Sequence, residues 1–384
     1  MAPELTYRTA GESHGPCLVA IVEGFPAGVE IASEPIDRLL RLRQIGYGRG
    51  PRMQMESDRV EFLAGFRRGK TIGSPIALRL ANRDATIDER PPITRPRPGH
   101  ADLAGAMKFG TGDVQDVLER ASARETAARV AVGGLAEQLL ALFDIEVLGY
   151  VVGVGEVSAP APEVSLTRLR RLRGKSPLLA VGAEREAQMM AVIDRGREAG
   201  DTVGGVVEVQ AANVPPGLGS HAQWCHRLDG RLAQVLMSIP AVKGVEIGLG
   251  FEAARRPGSQ VHDEITYRKP RSKRDRRPGF RRRTNRAGGI EGGITNGEPI
   301  LMRAAVKPIP SLGTPLRSVD LATKRSVKAA RERADLCVVA PAAVVAEAVV
   351  AFELARAFLE KFAGDSLAEV RRNFDGYLEQ LRNL

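Results

Sequence analysis

Apolar and polar positions recur with two different periods along this chain, and together they predict a mixture of strands and helices. Alternation with a period of two, and short apolar runs bounded by turn residues, predict strands. The predicted strands lie within residues 7–22, where the turn AGESHG separates two of them, and at 60–66, 76–80, 146–154 and 204–210. Apolar residues spaced three or four apart predict helices at 33–45, 116–143, 184–198, 221–238 and 342–362. The last helix is apolar on several faces, so we expect it to be buried.

Local signals indicate where these helices begin and where a helix cannot form. Ser33 is the predicted N-cap of the first helix. Ser122 and Glu125 match a capping box, so the helix within 116–143 begins anywhere from Asp116 to Ser122. The stretch ERPPITRPRPGH is rich in proline and is predicted to be extended, with His100 at its end.

Two segments of the chain resemble each other. GKTIGSPIALR at 69–79 and GITNGEPILMR at 293–303 share the pattern G-x-T-x-G-x-P-I-x-x-R, and a Pro-x-Gly turn precedes each of them, at Pro26 and Pro215. Either two similar halves form one pseudo-symmetric unit, or two glycine-rich turns agree by chance. The length of 384 residues allows two or three domains. A true duplication would instead favour one layered domain.

Composition narrows the class of protein. With 43% apolar and 27% charged residues, the chain is typical of a globular protein. The most apolar stretch, Cys337–Phe352, is interrupted by Pro341 and Glu347 and is shorter than the about 20 residues that span a bilayer. The N-terminus has no targeting pattern, so we expect a cytoplasmic protein. The three cysteines lie far apart, which predicts neither a disulfide framework nor a zinc cluster.

The positive charge is concentrated in one segment. The net charge is +10, and residues 268–286 alone hold eleven Lys and Arg against one Asp, so the rest of the chain is formally neutral. That neutrality argues against a nucleic-acid binder, the alternative function class. We expect the segment to be a mobile loop insertion, which either steers anions electrostatically or is merely solvated.

The chain has few histidines, and two of them lie where a ligand could bind. Two of the five histidines, His14 in GESHG and His100 in RPRPGHAD, lie in glycine-flanked loops where a ligand can approach closely. They either form part of a site or satisfy loop hydrogen bonds. No spacing of histidine, cysteine or acidic residues matches a metal motif, so no metal site is predicted.

Arginines cluster near the same loops. The clustered arginines are Arg43, Arg49 and Arg52, then Arg95 and Arg97, and then Arg120, Arg124 and Arg129. Such clusters suit a ligand with several anionic groups, whereas the structural alternative is pairing with Glu119 and Glu125 along one helix. Asp335 follows Arg333 before the apolar helix, as a paired structural or a functional carboxylate. Neither a dinucleotide fingerprint nor a P-loop is present.

In combination these segments resemble the chorismate synthase family over nearly the whole chain. AGESHGPCLVAIVEGFPAG at 10–28 resembles its N-terminal signature, ERASARETAARVAVGGL at 119–135 its central one and RADLCVVAPAAVVAEAV at 333–349 its C-terminal one. RLRQIGYGRGPRM, TRPRPGHAD, SIPAVKGVEIGLGF, TNRAGGIEGGITNGEP and AAVKPIPS follow the family's order.

The resemblance implies a fold, a reaction and partners. The fold would be a single α+β domain over 1–384, a β-α-β sandwich with helices between two antiparallel sheets and pseudo-symmetric halves, assembled as a homotetramer. The reaction would be the 1,4-elimination of phosphate from 5-enolpyruvylshikimate 3-phosphate to give chorismate, in the shikimate pathway of aromatic amino acid biosynthesis. It would need reduced FMN without net redox change. NADPH, or an external flavin reductase, would be the source of reductant.

The resemblance also implies roles for individual residues. His14 would protonate the departing phosphate, His100 would lie over the reduced flavin and supply its proton, and Asp335 would tune or deprotonate the flavin. Arg43 and Arg49 would bind substrate or NADP. The implied FMN contacts are Arg120, Ala121, Ser122, Pro240, Ala241, Gly292, Lys307, Pro308, Ile309, Pro310, Ser311 and Arg333.

Three departures from the family's pattern bear on these expectations. Pro240 stands where an amide side chain is usual, and Pro310 replaces a small hydroxylic residue. Both remove hydrogen-bonding groups from the expected flavin loops. RADL at 333–336 departs from the usual wording around Asp335, which would alter the local turn.

Overall fold

Two larger antiparallel sheets, four two-stranded sheets and nine α-helices make up the part of the chain that the computed structural model describes, residues 4–50, 57–269, 279–331 and 335–384. Its helices are α1 Ser33–Gln44, α2 Asp102–Phe109, α3 Gln115–Ala121, α4 Thr126–Ala141, α5 Leu166–Arg173, α6 Glu186–Ala199, α7 Leu228–Met237, α8 Val339–Phe362 and α9 Leu367–Arg382. Its strands are β1 Thr6–Ala10, β2 Cys17–Glu23, β3 Glu61–Ala64, β4 Phe66–Arg67, β5 Lys70–Thr71, β6 Ile76–Ala81, β7 Glu146–Val154, β8 Val157–Ser158, β9 Gly205–Ala212, β10 Val242–Ile247, β11 Ile265–Tyr267, β12 Phe280–Arg282, β13 Ile290–Glu291, β14 Ile294–Thr295, β15 Ile300–Val306, β16 Arg317–Val319 and β17 Ser326–Lys328.

The first sheet has the strand order β1-β2-β6-β3, and every neighbouring pair is antiparallel. Its central strand β2 alternates, because Leu18, Ala20 and Val22 are buried while Ile21 on the opposite face is exposed. The buried face contacts α4 through β2 and β6. Period-two patterning therefore orients this sheet, with one face on the core.

The second sheet has the order β10-β15-β9-β7-β8 and is also antiparallel. Helix α8 contacts β7 and β9 on one face. On the other face Leu148, Tyr150 and Val152 of β7 form a smaller apolar cluster with Leu166 and Leu169 of α5. Strand β7 is buried on both faces for this reason, which explains its nearly continuous apolar sequence.

Helices α4 and α8 pack against each other. Helix α4 also contacts the first sheet, and α8 contacts the second. Nearly every residue of α8 is buried, including all of Val339–Leu354, as its apolar composition predicts. The two backbones approach closely at Gly133, where an added Cβ would lie 2.5 Å from Ala348 Cα and 2.6 Å from Ala348 O. Glycine is thus required at this crossing for steric reasons.

We expect Gly133→Ala to lower the free energy of unfolding by about 1–3 kcal/mol, because the added methyl must displace backbone. Gly376→Ala in α9 is the matched control, since a Cβ there meets no described atom within 4 Å. It should be neutral or stabilise the chain by up to about 1 kcal/mol through helix propensity. Denaturant unfolding at one protein concentration measures both. Equal effects from the two substitutions would contradict the close α4–α8 contact.

A hydrogen-bonded turn follows β2 and is closed by Thr71. The Thr71 hydroxyl donates to Pro26 O at 2.6 Å and accepts from Val29 N at 3.0 Å. Its carbonyl accepts from Gly28 N at 2.8 Å. The Pro-x-Gly turn and the first copy of the repeated sequence are thereby joined.

The second copy of the repeated sequence makes the same three contacts. The Thr295 hydroxyl donates to Pro215 O at 2.7 Å and accepts from Leu218 N at 2.8 Å, and the Thr295 carbonyl accepts from Gly217 N at 2.8 Å. Thr71 and Thr295 occupy the same position in the shared pattern. The local sequence likeness thus corresponds to a likeness in hydrogen bonding.

Most predicted elements are confirmed, and β7 coincides with the predicted 146–154. The predicted helix 116–143 is wrong as one element, because Ser122 adopts extended dihedrals and divides it into α3 and α4. The predicted capping box is also absent from this described segment. Ser122 Oγ accepts from Arg124 N, whereas the Glu125 carboxylate binds Thr9 and Arg129.

Two further boundaries differ from the predictions. Ser33 is the first residue of α1 rather than its N-cap, because the backbone of Ala32 is held by the Gln138 side chain. The helix predicted from 221 begins at Leu228, whose amide donates to Gly293 O. Part of the basic insertion predicted at 268–286, residues 270–278, lies outside the described residues. In the described part of the chain no helix is long and apolar enough to cross a membrane.

Candidate functional site

A cavity opens where α1, the α3–α4 junction and the start of α8 meet. Its lining combines polar and apolar residues. The lining residues are Ser13, Arg43, Arg49, Ser122, Ala123, Arg124, Thr126, Ile239, Pro240, Val338, Pro341, Ala342 and Val345. Since α8 brings its first turns here, the buried helix that organises the core also supplies the apolar wall of the cavity.

Two arginines of the cavity share one buried carboxylate. Asp58 accepts from Arg43 Nη2 at 2.9 Å and from Arg124 Nη1 at 2.6 and 2.8 Å, and all three side chains are buried. Arg124 Nε also donates to Asn82 at 2.8 Å. Burial lowers the pKa of Arg43, although Asp58 opposes the shift. The two guanidinium groups thus lie side by side at the cavity, an arrangement that suits an anionic ligand.

A second, partly buried pair joins the glycine loop after α1 to the residues before α8. Asp335 accepts from Arg49 Nη1 at 2.5 Å and from Gly50 N at 2.7 Å. Burial lowers the pKa of Arg49, and Asp335 acts in the opposite direction. Gly48 has φ +85° and lies against Ile193, so the loop can pass this close only with glycine. The predicted residues Arg49 and Asp335, 286 positions apart, are in direct contact.

His14 is buried beside the cavity-lining Ser13. Its Nδ1 lies 2.7 Å from Glu119 Oε1, and its amide donates to Glu119 Oε2 at 2.7 Å. Burial would raise the pKa of Glu119, but the hydrogen bonds from His14 outweigh it and the pKa lies below its ordinary value. Gln115 donates to the same carboxylate at 2.6 Å. The Nε2 atom of His14 faces Asp84 at 3.8 Å.

His100 has a comparable environment in the predicted extended stretch. Its Nδ1 contacts Asp102 Oδ1, and Arg97 Nε donates to Asp102 Oδ2 at 2.9 Å. Burial would raise the pKa of Asp102, but the hydrogen bonds from His100 and Arg97 hold it far below its ordinary value. Arg97 Nη1 also donates to Ser311 Oγ at 3.0 Å, and Lys307 Nζ donates to Gly99 O at 2.7 Å.

The predicted flavin loops are adjacent to this histidine and to the cavity. Lys307 N donates to Ala241 O at 2.9 Å, next to the cavity-lining Pro240. Burial, and then Lys243, lower the pKa of Lys307. The loop 307–311, which holds Pro308 and Pro310, is held by Thr202 Oγ1, whose hydroxyl donates to Ile309 O at 2.8 Å.

Several predicted residues lie away from the cavity or outside the described chain. Arg120 directs its guanidinium to Thr9 and to Gly11 O, on the β1 side, and Ala121 precedes the break at Ser122 without lining the cavity. Gly292 lies between β13 and β14, at the end of α7 opposite Pro240. The ten residues of α7 span about 15 Å. Arg333, like Arg52, falls outside the described residues.

Sequence reasoning missed the acidic partners of the site. Asp58 and Asn82, which hold Arg124, gave no recognisable signal because their partners lie tens of residues away. The sequence suggests Glu119 only as a helical partner of arginine, yet Glu119 binds His14 across 105 positions. Asp102 lies only two residues after His100, in the sequence GHAD, so this short separation could have indicated their contact.

The residues around the cavity fit a flavin with its phosphate. The aliphatic residues Val338, Ala342 and Val345 suit a planar ring system, and arginines line the same cavity. Within the described residues, the buried Nε atoms of Arg43 and Arg49 have no hydrogen-bond partner. Buried donors of this kind normally have a hydrogen-bond acceptor, and an anionic ligand would supply one.

Three comparisons with known proteins agree. A family model described as chorismate synthase matches residues 5–359. The chain is 58% identical over 390 residues to the chorismate synthase of Geobacter sulfurreducens, covering 98% of this chain and 99% of that one. It is 57% identical over 391 residues to that of Geobacter metallireducens, with 99% and 100% covered. A solved structure, "Crystal Structure of Chorismate Synthase", matches all of both chains with a TM-score of 0.82 and 42% identity.

Proposed function

The chain belongs to the chorismate synthase family, and from this premise we propose which of its residues perform each task in the family's reaction. That reaction is a carbon–oxygen lysis, the 1,4-elimination of phosphate from 5-enolpyruvylshikimate 3-phosphate to give chorismate. The family requires reduced flavin, although no net oxidation or reduction occurs. The observation that carries the assignment to this cavity is the convergence of Arg43, Arg49 and Arg124 at a cavity that Ser13, the neighbour of His14, also lines.

Anion binding is the first task, and the arginines are suited to it. The substrate carries two carboxylates and a phosphate, and guanidinium groups bind such groups with directed hydrogen bonds. Arg43 and Arg124 are held side by side by Asp58, and the unpaired Arg43 Nε leaves hydrogen-bonding capacity. We assign Arg43 and Arg49 to substrate or NADP, as the resemblance implies, and add Arg124 to this group.

Proton donation to the departing phosphate is the second task, which we assign to His14. Glu119 accepts from Nδ1, so the doubly protonated ring would give the proton on Nε2 to the departing phosphate and keep the one on Nδ1. General acid catalysis by a positioned histidine is worth about 10²–10⁴ in rate. A phosphate leaves far more readily once a proton neutralises part of its developing charge.

His100 and Asp335 are assigned to the flavin side of the site. Reduced FMN, when bound, supplies the electronic step for which no amino-acid side chain is suited. His100 would hold a proton there, next to the loop of Lys307 to Ser311, while Asp102 and Arg97 fix its ring. Asp335 would tune or deprotonate the flavin while its carboxylate stays hydrogen-bonded to Arg49 and Gly50. Ser122, Pro240 and Ala241 would contribute the other contacts.

The finer details of the fold are also proposals. The orders β1-β2-β6-β3 and β7-β9-β15-β10 correspond strand for strand, as do α1 with α7 and the hairpins β4–β5 and β13–β14. With the matching contacts of Thr71 and Thr295, this supports two pseudo-symmetric halves in a single-domain sandwich. The homotetramer and the cytoplasmic location stay predictions from the resemblance and the sequence.

The test is an anaerobic assay of the purified chain with 5-enolpyruvylshikimate 3-phosphate and chemically reduced FMN. Chorismate and phosphate should appear in equal amounts, and neither should appear with oxidised FMN alone. A further arm with oxidised FMN and NADPH examines the source of reductant. We expect no product in that arm, because the chain has no separate nicotinamide-binding motif and would depend on an external reductase. Phosphate release without chorismate would overturn the assignment.

A further inference from the structure

Both proposed catalytic histidines contact a buried carboxylate through the same ring nitrogen. His14 Nδ1 faces Glu119, and His100 Nδ1 faces Asp102. The side chains of Glu119 and Asp102 are each 1% exposed. The two carboxylates come from different helices, α3 and α2, so the arrangement arises twice in the site from unrelated local structure.

The remaining contacts of Glu119 determine which atom of His14 carries a proton. Glu119 accepts from Gln115 Nε2, from the His14 amide and from the His14 ring. Its lowered pKa means that the carboxyl is ionised at neutral pH and can only accept hydrogen bonds. Nδ1 of His14 must therefore donate. Nε2, which faces Asp84 at 3.8 Å with Arg90 beyond it, is the nitrogen left for chemistry.

The same reasoning applies to His100. Asp102 accepts from Arg97 N at 3.0 Å, from Arg97 Nε at 2.9 Å and from Arg97 Nη2 at 3.1 Å, so it is an ionised acceptor. Arg97 Nη2 also lies 3.0 Å from His100 Nδ1, but the carboxylate oxygen Asp102 Oδ1 lies nearer to Nδ1, and a proton on Nδ1 is needed for a hydrogen bond between them. Arg97 thus donates to Asp102, and His100 Nδ1 donates to Asp102 as well.

We propose that Glu119 and Asp102 are positioning residues that keep the proton of His14 and of His100 on Nδ1, so that Nε2 of each ring exchanges protons during the reaction. This inference rests on the proposed function, because it concerns the histidines assigned there. Neither carboxylate needs to touch the substrate. Each acts through its histidine, as carboxylates do that orient imidazoles in other sites.

The first test measures the proton directly and needs no substrate. The chain has only five histidines, so ¹⁵N-histidine labelling with magic-angle-spinning NMR gives few signals. The signals are assigned by their loss in His14→Ala and His100→Ala. We expect Nδ1 to be protonated in both rings at a pH of about 9, where an ordinary imidazole is neutral. Either ring carrying its proton on Nε2 with Nδ1 bare would overturn the proposal for that ring.

The second test separates positioning from mere structure. Glu119→Gln and Asp102→Asn keep the shape but offer an amide N–H to Nδ1, which drives the proton to Nε2. We expect kcat to fall about tenfold to a hundredfold in each, with KM within about twofold. Asp116→Asn, on the exposed face of α3, is the matched control and should keep its kcat.

Together, kcat and the proton position from NMR distinguish the results that would reject the proposal. A lower kcat in Glu119→Gln with the proton still on Nδ1 of His14 would mean a purely structural role and would reject the proposal. An unchanged kcat with the proton moved to Nε2 would also reject it. If the wild-type chain made no chorismate, the proposed function would fail while the NMR result remained interpretable.

Discussion

Substituting His14 by alanine is expected to lower kcat for chorismate formation by about 10²–10⁴, with little change in KM. The reason is that the general acid acts on the departing phosphate in the transition state, whereas the arginines bind the substrate before the reaction. His14 is 3% exposed and held by Glu119, so no other described histidine can take its position. Anaerobic steady-state kinetics with reduced FMN, following chorismate and phosphate together, measures the effect.

The matched control is His221→Ala. His221 is exposed and precedes α7, away from the cavity, so its kcat and KM should both equal those of the wild-type chain. Flavin binding by His14→Ala, followed from the flavin absorption, should also be unchanged. A kcat for His14→Ala within about twofold of the wild-type value would contradict its role as the acid and would direct attention to His100.

The sequence predicted much of this fold because its patterns are local. Strand β7 and the buried helix α8 follow from periodicity, since their neighbours only have to be apolar. The break at Ser122 could not be predicted in this way. Next to the break Arg124 contacts Asp58 across 66 positions, and the helical spacing around it does not reveal this contact. Local propensity thus does not show the tertiary ion pairing from which the site is built.

The same difference between local patterns and long-range contacts decides which site residues the sequence predicts. His14, His100 and Arg49 are recognisable in the sequence because glycine or proline lies next to them, and the other arginines of the site because they cluster along the chain. Their acidic partners are not, because a buried Asp or Glu resembles any surface carboxylate until its neighbour is known. Glu119 illustrates this, since its exposed helical neighbour Asp116 looks equivalent in sequence. Burial distinguishes the two, and burial depends on the whole fold.

Removing the carboxylate of Asp58 is expected to cost more stability than any other single charge change in the cavity. Asp58→Ala would leave Arg43 and Arg124 buried side by side without their shared partner. Breaking a buried ion pair by removal of one partner typically costs about 3–5 kcal/mol. Denaturant unfolding at fixed protein concentration gives the difference. The comparison is Glu34→Ala, which removes an exposed pair with Arg41 and should cost no more than about 1 kcal/mol.

The same variant also tests what the two arginines are for. Without Asp58 the guanidinium groups repel each other, so an anion that lies between them should stabilise Asp58→Ala more than it stabilises the wild-type chain. Inorganic phosphate is the probe, and the rise of Tm with phosphate concentration is the measurement. Sodium chloride at equal ionic strength controls for general screening. If phosphate raised the Tm of both proteins equally, or if Asp58→Ala were as stable as Glu34→Ala, then Asp58 would not be the group that holds Arg43 and Arg124 together for an anionic ligand.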